Sequence, residues 1–294
     1  MTTHQDTTTV AVLGAGPMGQ ALAGALLDRG HDVVVWNRTA TRLEPVVARG
    51  ARPATTPAEA VAQATLTLVN VIDNAAATAI GDQVGEAASG RTIIGLASDT
   101  PDSSRELQSR ATALGARYLG GAIMTPVATI GTEHGSILLD GSEDVVERHR
   151  TVLEGLGAIS WVGEQPGTAA GYDMALLDFF WTSIGGYLHG AEVARKAGID
   201  AASLLPHALG IVSILTPIVT DLAGRLDQGT HDDATSDLES ISASLDHLVH
   251  AAHDAGLGAD ALEALRRVTR RGVDAGHGKD EITRVSFAEA AALA

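Results

Sequence analysis

The segment Val12-Leu13-Gly14-Ala15-Gly16-Pro17-Met18-Gly19 constrains this chain more than any other. It follows the apolar run Val10-Ala11-Val12-Leu13 and leads into a helical spacing of Ala21, Leu22, Leu26 and Leu27. A strand, a Gly-x-Gly-x-x-Gly turn and a helix in that order form a dinucleotide-binding unit. Gly14 permits the tight turn, Gly16 lets the backbone approach a pyrophosphate, and Gly19 lets the helix pack on the strand. Pro17 and Met18 open the helix beside the phosphates. The context on both sides favours this reading over a ligand-free glycine turn.

The second strand, His31 to Trp36, ends at Asn37-Arg38-Thr39, and no acid lies between Val33 and Ala40. An acid there would hold the ribose 2′-hydroxyl of NAD, whereas an arginine suits a 2′-phosphate. Arg38, with Asn37, Thr39 and Arg42, therefore indicates NADP(H), since a guanidinium grips phosphate in bidentate fashion. Val71, at the end of an expected third strand over 66–72, is assigned to the same cofactor cleft.

The 294 residues suffice for one or two domains with a real core. Twenty basic against 36 acidic residues leave a net charge of −16, which argues against nucleic-acid or anionic-membrane partners. There is no cysteine, so disulfides, thiol nucleophiles and thiolate metal sites are out. The first nine residues do not form a signal peptide, and no uninterrupted 18-residue apolar stretch occurs, so a soluble cytoplasmic protein is expected. Of eleven histidines, His247, His250 and His253 lie close together on a helical pattern without an H-E-x-x-H arrangement, so no metal is expected.

Strand patterns at 10–13, 32–36, 66–72, 92–96, 116–119, 136–139 and 158–162 alternate with helical ones. That predicts an α/β fold, a doubly wound, mostly parallel Rossmann sheet over 1–165. Ligands on such sheets sit beyond the carboxyl ends of the strands, here the loops after 13, 36, 72 and 96. After Pro166 the period becomes helical. A helix over 168–197, with Thr168 as N-cap and Gly198 as its stop, would run roughly 43 Å. Five of the nine aromatic residues lie on it: Tyr172, Phe179, Phe180, Trp181 and Tyr187. A helix apolar nearly all round is buried on every side, and a second copy of the chain is the simplest cover. Residues 198–294 read as an all-α domain, with apolar spacing in 204–214, 218–226, 238–252 and 259–273.

Asp173 sits early on the long helix among apolar neighbours, and Leu177 and Trp181 follow on its face. Asp178 faces elsewhere and reads as a structural partner. The Gly-x-Gly-x-x-Gly turn, Asn37-Arg38-Thr39 and Gly167-Thr168-Ala169-Ala170-Gly171-Tyr172-Asp173 together resemble the β-hydroxyacid dehydrogenase superfamily. The closer resemblance is to its NADPH-dependent imine reductases and reductive aminases. Leu96-Ala97-Ser98-Asp99-Thr100-Pro101, Gly120 to Pro126 and Ile130-Gly131-Thr132 match segments of those enzymes, and the likeness spans nearly the whole chain. The hydroxyacid enzymes carry a catalytic lysine where this chain has Asp173. A lysine serves a carboxylate substrate and would repel a cationic iminium, which a carboxylate attracts.

The resemblance implies NADPH-dependent reduction of C=N bonds in cyclic imines, with reductive amination of ketones as an extension. It makes Asp173 the catalytic acid and places Ser98, Met124, Tyr172, Leu177, Trp181 and His247 around the substrate. Ser98 also falls near the cofactor ribose. It further implies a homodimer in which each helical domain completes the partner's cleft. Trp181 departs from the Asp or Tyr usual at the second polar site and cannot act as acid or base at neutral pH. Either Asp173 works alone with water, or Tyr172, Asp178 or another residue shares the task. A β-hydroxyacid-type dehydrogenase and a non-catalytic NADP(H)-binding regulator are the alternatives.

Overall fold

A computed structural model describes residues 7–285 and 287. The first part of the chain forms β1 (Thr9–Leu13), α1 (Pro17–Asp28), β2 (Asp32–Trp36), α2 (Glu44–Val47), β3 (Arg52–Pro53), α3 (Pro57–Gln63) and β4 (Leu66–Val69). It continues with α4 (Asn74–Val84), β5 (Thr92–Gly95), α5 (Pro101–Ala113), β6 (Arg117–Ile123), β7 (Ser136–Asp140), α6 (Glu143–Leu153) and β8 (Ala158–Trp161). The long helix α7 (Thr168–Lys196) follows, then α8 (Ala201–Gln228), α9 (Leu238–Asp254) and α10 (Asp260–Gly272). Two compact units result, one through Phe180 and one from Trp181, so the division falls within α7.

The eight strands form one sheet in the order β3-β2-β1-β4-β5-β6-β7-β8. The pairs from β3 through β6 are parallel; β6 and β7 pair antiparallel, and β7 and β8 again run parallel. The order reverses direction between β1 and β4, where open α/β sheets leave a crevice. Strand alternation sends Val10 and Val12 to one face and Ala11 and Leu13 to the other. The first face packs with Leu22 and Leu26 of α1 and with Val145, Val146 and Val152 of α6. The second packs with Ala60 and Val61 of α3 and Ala77 and Ile80 of α4. Both faces of the central strands are covered, as their near-continuous apolar sequences require.

Several expectations change. The third strand ends at Val69 rather than residue 72; Val71 and Ile72 are apolar because they line a cleft, not because they extend the sheet. The two-residue strand β3 carries too little pattern to read from sequence. Thr168 does not cap α7; its hydroxyl donates to the Gln165 carbonyl at 2.8 Å. The C-terminal stop is at Gly198, with φ +82° and Ile199 N–H returning to the Ala194 carbonyl. Segments 204–214 and 218–226 are one helix, with Pro206 and Pro217 inside it.

In the second unit, Val249, Ala252 and Ala259 form a small core with Leu257 and Leu262. Asp246 binds Arg270 at 2.7 Å and Arg266 at 3.5 Å, joining α9 to α10. The long helices differ. The only buried residues of α7 are Ala169 and Asp173, and α8 has none. Polar residues, among them His207, Ser213, Thr216 and Thr220, interrupt the apolar sequence of α8. By length and composition α8 could cross a membrane, with mean hydropathy 1.8 over its most apolar window.

Candidate active site

The loops after β1, β4 and β5 are held together by their own backbones. Gly14, at φ +106°, lies so close to the Asn70 carbonyl that a Cβ would stand 2.0 Å from it. The Asn70 side-chain amide donates to the Leu96 carbonyl at 3.3 Å. Asp99 accepts from the Asn74 amide at 3.2 Å and from Thr100 N–H at 2.7 Å. Asp73 caps α4 through Ala76 N–H at 2.8 Å, and Thr100 caps α5 through Ser103 N–H at 3.3 Å. The carboxyl edge of the sheet is therefore a fixed platform.

Beside it opens a cleft of about 630 Å³ lined by Gly14, Gly16, Pro17, Met18, Trp36, Asn37, Arg38, Thr39, Arg42, Asn70, Val71 and Ile72, with Gln83 of α4. A Cβ on Gly16 would meet nothing within 4 Å, so the missing side chain leaves room in the cleft. Pro17 stands at the first position of α1, whose amino end faces this space. Gly19 does not line the cleft. Its Cβ would fall 1.9 Å from the Gly14 carbonyl, so its role is to seat α1 against the turn.

Asn37 lines the cleft and has a second task besides the one expected. Its carbonyl oxygen accepts Ala15 N–H at 3.0 Å, and its amide donates to the Thr39 carbonyl at 2.9 Å. It locks the loop after β2 to the glycine turn, and Gln20 adds a bond to the Arg42 carbonyl at 2.9 Å. Arg38, Thr39 and Arg42 are exposed along the cleft. Among the described residues lining it, none is acidic. The chemistry suits a dinucleotide with an extra phosphate: a glycine turn for the pyrophosphate and two guanidinium groups for the third phosphate. Sequence reading missed Asn70, Ile72 and Gln83; the expected extension of β4 to residue 72 obscured the turn where two of them lie.

Ser98 does not line that cleft but stands in the loop between β5 and α5, where its side chain lies near enough to Asp173 to favour the charged carboxylate. Asp173 is buried, and burial pushes its carboxyl above the ordinary aspartate value, while the Ser98 hydroxyl pulls it down. The first turn of α7 is wedged against the start of α5. A Cβ on Gly167 would lie 2.6 Å from the Pro101 carbonyl, and Arg105 donates to the Pro166 carbonyl at 3.4 Å. These contacts bring Asp173 to Ser98 across 75 positions of sequence. Met124 follows β6 with its N–H on the Ser136 carbonyl at 2.9 Å. Tyr172 is exposed and Leu177 half-buried on α7. Trp181 and His247 are exposed in the second unit, on α7 and α9. Among the described residues no group of three or more histidines and carboxylates gathers to hold a metal.

Two family models divide the chain between them. Residues 9–163 match the NAD-binding domain of 6-phosphogluconate dehydrogenase, and residues 165–288 match the NADPH-dependent reductive aminase-like C-terminal domain. The structure superposes on a Streptomyces aurantiacus imine reductase with TM-score 0.89 and 33% identity, covering 94% of this chain and 97% of that one. The chain belongs to the imine reductase and reductive aminase family. A reductive aminase from Aspergillus terreus, in complex with NADPH4, cyclohexanone and allyl amine, matches at TM-score 0.88 and 32% identity, covering 94% of this chain and 97% of that one. An NADPH-dependent reductive aminase from Aspergillus oryzae is 28% identical over 93% of this chain and 94% of its own length. The Rossmann sheet followed by a helical domain is the fold of this family.

Proposed function

We infer that this chain is an NADPH-dependent oxidoreductase that reduces C=N bonds to amines, and we propose how its residues do so. The family, the NADPH-dependent relatives and the acid-free cleft support the reaction and cofactor. The observation that carries the mechanism is Asp173, buried beside Ser98 at the carboxyl edge of the sheet.

Arg38 and Arg42 would hold the 2′-phosphate, and the turn from Gly14 to Met18 the pyrophosphate. The bound cofactor supplies a hydride for the substrate carbon. Asp173 holds the substrate nitrogen as a cation, so the C=N electron pair collapses onto nitrogen as the carbon accepts hydride. In a buried setting a carboxylate stabilises such a cation by well over the ~1 kcal/mol of bulk water. Burial raises the Asp173 carboxyl and the Ser98 hydroxyl counters that by favouring the charged form. A lysine at this position would oppose the same cation. Met124, Tyr172 and Leu177 are proposed to shape the substrate site. Trp181 and His247 are proposed substrate contacts whose replacement should shift preference without abolishing turnover. NADPH consumption with 1-pyrroline tests the reaction, set against NADP⁺ reduction with a β-hydroxyacid. Turnover of the hydroxyacid without turnover of the imine would overturn the reading.

A homodimer is proposed as the working form. Leu205, Leu209, Ile211, Val212, Ile218 and Leu226 of α8 are each between 45% and 61% exposed in a single chain. An apolar surface of that extent marks an interface. A second copy covering it would bury more than about 2,000 Å², as obligate pairs do. Sedimentation should give two copies at micromolar concentration; an active single copy, or recovery only with lipid, would contradict this.

A further inference from the structure

The fully buried Asp140, at the end of β7, has no part in the chemistry described above. Its Oδ1 accepts Gly120 N–H of β6 at 3.1 Å, and its Oδ2 accepts Ala169 N–H of α7 at 2.9 Å. None of the ion pairs among the described residues involves it, so its charge is met by backbone N–H groups. A buried carboxylate without a cationic partner is costly to retain. The fit is close: a Cβ on Gly120 would stand 2.5 Å from Oδ1. Thr168 turns both its N–H and its hydroxyl to the Gln165 carbonyl, so the Ala169 amide at the head of a 29-residue helix depends on a side chain from a distant strand.

Ala169 and Asp173 are four residues apart, so they lie one turn apart on one face, and they are the two buried residues of α7. We propose that Asp140 is a positioning residue for Asp173: it joins β6 to the first turn of α7 and so fixes the height and rotation at which Asp173 meets Ser98. This rests on the reading that Asp173 holds the substrate nitrogen. Asparagine at 140 would keep the shape but present an amide N–H to Gly120 or Ala169, where each already donates. The first turn would then shift, and the Asp173 carboxylate with it.

The test uses the full chain with Asp140→Asn, Asp140→Ala, Ser98→Ala and the double variant of Asp140→Asn with Ser98→Ala. Asp140→Asn should lower kcat/KM for 1-pyrroline by about ten- to hundredfold, the effect of a lost charged hydrogen bond. NADPH affinity should stay within about twofold, because the cofactor cleft is formed by other elements. In the double variant the two losses should not multiply, since both act through the placement of one carboxylate. Unchanged kinetics, multiplying losses, or NADPH affinity falling in step with turnover would each overturn the proposal; the last would make Asp140 a general prop of the domain. Amide exchange gives a readout independent of activity. It should speed up across the first turn of α7 in Asp140→Asn and Asp140→Ala and stay unchanged at the Gly14 turn. Failure of the wild type on 1-pyrroline, with this exchange pattern intact, would refute the role of Asp173 and leave the anchoring by Asp140 standing.

Discussion

The sheet unit and the long helices after it bury their apolar residues to very different degrees. Leu13, Leu22, Leu66, Leu68 and Leu119 are wholly buried, enclosed by helices on both faces of one sheet. Leu209, Val212 and Leu226 of α8 are equally apolar and lie more than half exposed. Similar side chains thus do different work. In the first unit they close a core within one chain, which leaves polar groups at the strand ends to be placed accurately. In α8 they form an exposed apolar surface, which the proposed homodimer would cover.

The sharpest way to break this comparison is to remove Asp173. If the first unit holds the chemistry on a core that closes by itself, Asp173→Ala should cut kcat/KM for a cyclic imine about hundredfold or more. NADPH affinity should hardly change. Asp173→Asn separates charge from shape, and near-native turnover in either variant would remove Asp173 from the mechanism.

Arg38→Ala should weaken NADPH binding by about ten- to hundredfold and leave NADH use nearly unchanged, as loss of a charged hydrogen bond would. Equal use of the two cofactors by the native protein would refute the assignment of the 2′-phosphate to this loop. The third experiment makes one truncation in both regions. Leu68→Ala, in the closed core, should cost about 2–5 kcal/mol whatever the protein concentration. On the proposed homodimer, Leu209→Ala should lower Tm by an amount that depends on concentration. Loss of stability independent of concentration at both sites would show that α8 needs no partner.

The smallest effect concerns pH. Burial raises the Asp173 carboxyl and Ser98 lowers it. The ionised form is the working one, so activity on a preformed iminium should fall as pH drops through that raised value. This acidic limb lies above the ordinary aspartate range. Ser98→Ala removes the group that favours the charge, and should move the limb to still higher pH. A shift to lower pH would mean that Ser98 does not donate to Asp173.

The parts of this molecule legible in its sequence are those coded by neighbours. Gly14, Gly16 and Gly19 lie within six residues, and the turn and helix start they form are local, even though Gly14 also packs against the distant Asn70 carbonyl. The loop at Arg38 and the acid at Asp173 also stood out, one by the absence of a carboxylate, the other by its place among apolar residues. What stayed hidden depends on distance along the chain. The cap of α7 comes from Asp140, 29 positions before Ala169, so local pattern pointed to Thr168. The nearness of Ser98 to Asp173 arises from the packing of α7 on α5. Asn37 was legible as a polar group near the cofactor, but not as the tie that fastens its loop to Ala15.

That tie has a practical consequence for redesign. Asn37 sets the shape of the loop after β2, while Arg38 and Arg42 set its charge, and the two tasks fall to different side chains. A designer seeking an NADH-dependent variant can rewrite the charge at 38, 39 and 42 against a fixed backbone. The same designer should leave Asn37 alone, because changing it would loosen the template on which the new specificity has to be written.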